Sequence, residues 1–495
     1  MKYLMIILYV ALLAAIAIYS MKRTKTLDGF FLGGRDVGGW MTAFAYGTSY
    51  FSAVMFVGYA GRLGYTFGIS AFWIGMGNAI LGSLVAWLLL AKPTRLMTHR
   101  INVATMPSFF EKRYLSKNMK IFAAFIIFIF LVPYCASVYQ GLSYIFESTF
   151  HIPYEYCLIG MAVITLGYLV LGGYIATMLT DFVQAIIMLV GVVLLVVFIL
   201  NSPAVGGLTA GLAKIGATDA SKAALFGSAK NAWPLIIAIF TTSVGTWGLP
   251  QMVHKFYAIR DEKAIRKGTI ISTVFAVIVA GGTYAIGAFG TLFTGGKVPI
   301  DAATGVANAD LIMPTVVQTA LPDALMGFIV VLVLAASMST LSSLVLVSSS
   351  AISMDLVKGV FKKDMSEKST LVLMRVLIGV FVIISLILAL NKNNAILTLM
   401  SFSWGALSGS FLAPFLLGVR WKGITRAGAW AGMITGISVT VVLAIVLGLD
   451  TSKSQLIAAI AIIASAIVTP VVSIFTKKFS KEHIAEMFGT GEESF

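Results

Sequence analysis

The sequence predicts an all-α, polytopic membrane protein with about thirteen transmembrane helices. Three observations carry that reading. Of 495 residues, 59% are hydrophobic and only 11% charged, with a mean hydropathy of +0.96, more apolar surface than a soluble chain of this size hides. The apolar residues gather into runs of about twenty, the length a helix needs to cross a bilayer. Most of the 35 Lys and Arg residues fall in alternate connections, as they do when basic loops stay on the cytoplasmic side.

In order, the spans fall at 3–20, 38–60, 68–91, 120–146, 154–171, 178–200, 232–256, 269–293, 323–352, 370–390, 394–418, 426–448 and 455–475. The first is uniformly apolar and is followed by Met21-Lys22-Arg23-Thr24-Lys25. More positive charge after the run than before it favours a retained anchor with its N-terminus outside over a cleaved signal peptide. The inner connections then collect Arg35; Lys92, Arg95, Arg100, Lys112, Arg113, Lys117 and Lys120; and Lys255, Arg260, Lys263, Arg266 and Lys267. Later ones hold Lys358 to Arg375, then Arg420, Lys422 and Arg426, and the cytoplasmic tail 477–495 holds Lys477, Lys478 and Lys481. The net charge of +15 is therefore a topology signal, placing a multi-pass protein in a plasma or inner membrane, and not a nucleic-acid footprint.

Several classes are unsupported. Cys135 and Cys157 imply no disulfide framework. His99, His151, His254 and His483 are read as lying outside the middle of any span, with no metal-ligand spacing, and no Walker motif supports an ATP-driven pump. No loop is long enough for a soluble catalytic or signalling domain, so neither an enzyme nor a fused sensor is expected.

Span 2 reads Gly47-Thr48-Ser49-Tyr50-Phe51-Ser52-Ala53 and then meets Gly58, Gly61, Gly64 and Gly68. Glycine at that density weakens a helix, and broken helices survive in a bilayer only where they line a cavity or are buried in protein. Span 7 carries Thr241-Thr242-Ser243-Val244-Gly245-Thr246-Trp247-Gly248-Leu249-Pro250-Gln251, where Pro250 removes a backbone hydrogen bond. The two interrupted spans lie five apart. If spans 2–6 and 7–11 are repeats, each opens on a broken helix and the second is inverted, the arrangement that marks a midplane site in a secondary transporter.

Span 9 contains Ala335-Ala336-Ser337-Met338-Ser339-Thr340-Leu341-Ser342-Ser343. At 100° per residue Ala336, Ser339, Thr340 and Ser343 share one face, with Ser342 beside them. Such hydroxyls either bond back to their own helix or oppose something polar. Span 4 adds Tyr134 in Pro133-Tyr134-Cys135-Ala136-Ser137, which reads equally as cavity lining or a bond across a helix interface. Asp181, in Gly172-Gly173-Tyr174-Ile175-Ala176-Thr177-Met178-Leu179-Thr180-Asp181-Phe182-Val183-Gln184, is the acid most clearly set in an apolar segment. It reads either as a functional membrane acid needing a partner or as the N-cap of span 6.

These stretches together resemble the sodium:solute symporter family. The resemblance runs from Phe31-Leu32-Gly33-Gly34-Arg35 to Trp421-Lys422-Gly423-Ile424-Thr425-Arg426-Ala427-Gly428-Ala429, and is most specific in GGYIATMLTDFVQ, GLPQMVHKFYAI and AASMSTLSS. Tyr134-Cys135-Ala136-Ser137 and Phe146-Glu147-Ser148-Thr149-Phe150 resemble the bacterial proline and pantothenate branch. The resemblance implies a leucine-transporter-type 5+5 inverted repeat inside a single transporter domain, 1–495. An extra N-terminal span (1–22) would precede a first repeat (37–200) and a second (231–420), followed by C-terminal spans (424–476).

It also implies co-transport of one or two sodium ions with a small organic solute by a monomer embedded in lipid. The first sodium site would use the carbonyls of Thr48, Phe51 and Ala336 with the hydroxyls of Ser339 and Thr340. A possible second would use Asp181, Ser342 and Ser343, with Ser339 and Ser52 nearby. The solute would sit among Tyr50, Tyr134, Thr246 and Trp247. Sugar-carrying members place polar residues where this chain has Tyr50, Val54 and Met55. Proline carriers have an acid at Tyr50 and aromatics at Thr242 and Thr246. An amino acid or carboxylate is therefore expected before a sugar. The alternatives are proton coupling on the same fold, or a channel or solute sensor built on this scaffold.

Overall fold

In a bilayer the backbone satisfies its hydrogen bonds by closing on itself, which leaves helices as the main spanning element here. The computed structural model describes residues 2–21, 31, 33–301, 304–391, 395–448 and 450–489. Lys22, Arg23 and Lys25, Asp28-Gly29-Phe30 and the end of the tail lie outside them. Among the described residues ten helices are long and apolar enough to cross a membrane, eleven if the bent pair Ala229–Gly248 and Pro250–Tyr257 is one span. The expected number was thirteen. The difference lies in helices that run on or break: Val54–Arg100 is one helical stretch despite Gly68 at φ +63°, and Tyr154–Asn201 holds two apolar segments in one run.

The elements that place the site are α1 (Lys2–Met21), α2 (Gly39–Tyr50), α3 (Val54–Gly61, wound as a π-helix), α4 (Met106–Tyr114), α5 (Lys117–Phe150) and α6 (Tyr154–Asn201). They continue with α7 (Ala229–Val244), α8 (Pro250–Tyr257), α9 (Glu262–Ala276) and α10 (Asp323–Ser350). Last come α11 (Glu367–Ala389), α12 (Ile396–Arg420), α13 (Arg426–Leu447) and α14 (Thr451–Phe475).

At the centre stands α10. The most apolar stretch of Leu325–Phe361 is 100% buried, against 28% for α11 and 22% for α13. A transmembrane helix that carries hydroxyls is better placed against other helices than against lipid, and α10 packs on α5, α6, α1, α11 and α2. Its seven consecutive residues from Ser337 to Ser343 include five hydroxyls, all buried. The lipid-facing shell is aliphatic, with Val376 and Ile387 on α11, Ile445 and Val446 on α13, and Ile467 and Ile474 on α14 exposed.

Both expected breaks are present. After α2, Phe51 turns extended (φ −108°, ψ 109°) before α3 resumes. After α7, Gly245–Gly248 tightens to a 3-10 turn, Leu249 is extended, and Pro250 opens α8 at a 49° bend. Proline suits that first helical position, where no amide donor is needed. Gly248 is required there by space: a Cβ would lie 2.8 Å from both Leu412 N and Ser408 Cα, so α12 packs directly on the break.

Candidate functional site

The first break frees carbonyls, and α10 brings its hydroxyl face against them. Thr340 Oγ1 lies 3.3 Å from Thr48 O, 3.4 Å from Ser49 O and 3.2 Å from Ala336 O. One hydroxyl proton serves one acceptor, so at least two of these oxygens keep unused lone pairs in a site without bulk water. The spacing is informative as well. A hard cation of this size bonds oxygens at roughly 2.4 Å, which puts octahedral ligands about 3.4 Å apart, wider than a good hydroxyl hydrogen bond. The Thr340 hydroxyl thus stands at a cation-sharing distance from each of the three carbonyl oxygens. Phe51 leaves the helix beside them in its extended conformation. Thr48, Phe51, Ala336, Ser339 and Thr340 are all fully or almost fully buried around this point.

Beside that group runs a closed polar circuit. Ser339 Oγ lies 2.7 Å from Thr48 Oγ1 and 2.7 Å from Asp181 Oδ1. Asp181 Oδ2 is 3.5 Å from the Lys255 ammonium, which donates to Ser343 Oγ at 3.0 Å. Ser343 Oγ returns to Ser49 Oγ at 2.9 Å, and Ser49 adjoins Thr48. Four elements, α2, α6, α8 and α10, are joined through six side chains.

Several sequence expectations change here. Lys255, read as a charge on an inner connection, is 1% exposed in α8 and pairs with Asp181. Lys255 stands at the end of the apolar run, and α8 carries it as helix inside the protein where an inner connection was expected to begin. Asp181 is not a helix N-cap: it lies far inside α6, where Thr180 donates to the carbonyls of Ala176 and Thr177. Ser342 bonds back to the Ser339 carbonyl at 2.8 Å, whereas Ser339, expected near both sites, reaches Asp181, and Ser343 contacts the lysine paired with that acid. His254 is likewise inside the protein, its ring against Phe31 and Tyr174. Ser337, Ser349 and Ser350 bond their own helix, which is the ordinary packing role.

The expected solute residues divide. Tyr50 donates to the Thr242 carbonyl at 2.6 Å, joining the two breaks, and the Thr246 hydroxyl lies beside Tyr46 and Tyr50. Tyr134 is buried with its ring edge-on to Trp404 at 5.9 Å. Trp247 is half-buried, and its indole donates to the Leu81 carbonyl at 3.1 Å, next to Gly82, against which the Tyr50 hydroxyl packs. One candidate was missed. Gln251, in the first turn of α8, is 1% exposed, and neither its carboxamide nitrogen nor its oxygen has a hydrogen-bond partner. It stands four residues before Lys255, on the same helical face. The i, i+4 spacing of two polar residues just after a proline break was the available signal.

A family model, the sodium:solute symporter family, matches residues 30–436. The chain belongs to the sodium:solute symporter family. It is 30% identical over 488 residues to sodium/proline symporter 2 of Staphylococcus saprophyticus, covering 97% of this chain and 93% of that one. It is 32% identical over 431 residues to the sodium/proline symporter of Escherichia coli K12, covering 86% and 84%. Among solved structures, a substrate-bound, outward-open Na+-coupled sialic acid symporter superposes with a TM-score of 0.79 over 97% of this chain and 99% of that one, at 19% identity. That likeness shows the fold, the leucine-transporter type with its 5+5 inverted repeat. Membership makes this multi-pass membrane protein a sodium-coupled symporter of a small organic solute.

Proposed function

We propose that the protein imports a small amino acid or related carboxylate by alternating access, with sodium bound between the first break and α10. The observation that carries the sodium site is the Thr340 hydroxyl spread among three carbonyls at 3.2–3.4 Å. The ligand set is the carbonyls of Thr48, Phe51 and Ala336 with the Ser339 and Thr340 hydroxyls. Sodium there pins the end of α2 to α10, which steadies one state of the cycle by differential binding. The solute lies between the two breaks, near Tyr50, Tyr134 and Thr246, and the buried, unpartnered Gln251 amide supplies donor and acceptor to it. The named substrate of the two relatives, proline, is the first compound to try. With no acid at Tyr50, a free amino group has no counter-charge at that position, and the α8 N-terminus suits a carboxylate.

The access path on one face is a vestibule of about 320 Å³ lined by Arg62, Tyr144, Asp301, Asn308, Asp310 and Thr451. It lies by the start of α12, opposite the basic end marked by Arg420 and Arg426. We assign the vestibule to the outside, the N-terminus to the same side and the C-terminal tail to the cytoplasm. The protein works as a monomer and carries out no covalent chemistry. The test is uptake of labelled amino acids, carboxylates and sugars into proteoliposomes, with and without an inward sodium gradient. Sodium-stimulated uptake of an amino acid or carboxylate is expected. Equal uptake in both, with a proton gradient driving it instead, refutes sodium coupling.

A further inference from the structure

The residues expected to form a second sodium site already surround a positive charge. The Lys255 ammonium stands 3.5 Å from Asp181 Oδ2 and 3.0 Å from Ser343 Oγ, in a pocket sealed from solvent and backed by the Tyr174 ring, 5.7 Å away. We propose that Lys255 is a tethered cation filling the place of a second sodium, so that each chain binds one sodium ion. The proposal rests on the sodium reading above and deepens it.

Three features support it. First, Asp181 Oδ1 and Oδ2, Ser339 Oγ and Ser343 Oγ form an oxygen-rich cradle of the type a hard cation selects. Second, the ammonium already contacts two of those oxygens, Asp181 Oδ2 at 3.5 Å and Ser343 Oγ at 3.0 Å, and a second monovalent ion held by the same set would sit within a few ångströms of it. Two like charges at that range in a buried site repel strongly. Third, both arms of the circuit end on neighbouring residues of the first break. Asp181 reaches Thr48 through Ser339, and Lys255 reaches Ser49 through Ser343. A cation in this cradle therefore acts on the same turn whose carbonyls face Thr340. A free ion would do so only when bound; a lysine does so in every cycle without drawing on the gradient.

Equilibrium binding of 22Na+ to the purified full-length protein, without solute, tests this. Wild type is expected to saturate at one sodium per chain, and Lys255→Arg to do the same. Lys255→Ala is expected to saturate at two, with the Hill coefficient rising from about one towards two, and Lys255→Ala combined with Asp181→Asn returns it to one. Lys255→Met, which keeps the stem's packing, replaces the alanine variant if that one fails to fold. Wild type binding two ions overturns the proposal, as does a folded Lys255→Ala or Lys255→Met protein still binding one. Wild type binding none overturns the sodium reading itself, a different outcome from either. A lysine with a merely structural role would shift stability and leave the ion count unchanged.

Discussion

Ser339 and Thr340 are neighbours on one helix, yet their hydroxyls do different work. Thr340 faces only carbonyls, whereas Ser339 touches both Thr48 and the Asp181 carboxylate. Removing the Thr340 hydroxyl takes one ligand from the cation and leaves the carbonyls in place. Thr340→Ala is therefore expected to weaken apparent sodium affinity about tenfold, near the roughly 1.5 kcal/mol of one bond to a charged group. Ser339→Ala should do more, because it also cuts the link from Asp181 to the break. Sodium titration of uptake, or of thermal stability, reads both; unchanged sodium dependence in folded variants removes them from the site. The hydroxyl face was legible in the sequence because a helix repeats every 3.6 residues and serines stand out in an apolar run. Lys255 was not, since a basic residue at the end of such a run reads as a loop charge. Only the packing of α8 between α6 and α10 shows otherwise. Nor does spacing show that Ser342 bonds backwards, a local choice of rotamer.

Among the elements, the breaks were the clearest sequence signals, because glycine and proline act locally and need no partner to weaken a helix. What closes on each break was less visible. The second is held by α12 through Gly248, while the start of α12 is held from the vestibule side by Asp310. That carboxylate accepts from the Ile396 amide at 3.1 Å and lies 3.5 Å from Arg62, which follows α3. Asp310 therefore ties the Arg62 end of the first broken helix to the start of α12. Burial pushes its carboxyl above the usual carboxylate range, and Arg62 and the Ile396 amide pull the other way. A raised acid holds its proton in the folded state after the unfolded chain has released it, so stability falls as pH rises through that window. The melting temperature of wild type minus that of Asp310→Asn should therefore decline as pH rises from about 4, the ordinary carboxylate value, towards neutrality. Thermal melts across that range check it; a flat or rising difference shows that Arg62 outweighs burial.

At the scale of the whole molecule, the fold sets how much work one cycle performs. The membrane class followed from hydropathy, and the inverted repeat from the spacing of the breaks together with the family resemblance. Helices that run through expected loops, as in Val54–Arg100, did not, because hydropathy marks where a chain is apolar and not where it bends. The number of ions per cycle depends on whether the Asp181 cradle is open, and the proposal that Lys255 fills it sets the count at one. One positive charge entering down a potential of about 100 mV yields roughly 2.3 kcal/mol, and a tenfold sodium gradient adds about 1.4. Together these hold a neutral solute at a ratio of several hundredfold. A second sodium would roughly square that ceiling. Proteoliposomes with a fixed potassium-diffusion potential and a tenfold sodium gradient should therefore accumulate solute to several hundredfold and no further. Collapsing the potential alone should cut the plateau to about tenfold, the share left to the chemical gradient of one ion. A plateau that stays near a hundredfold without the potential requires two sodium ions, and with them an empty cradle beside Asp181.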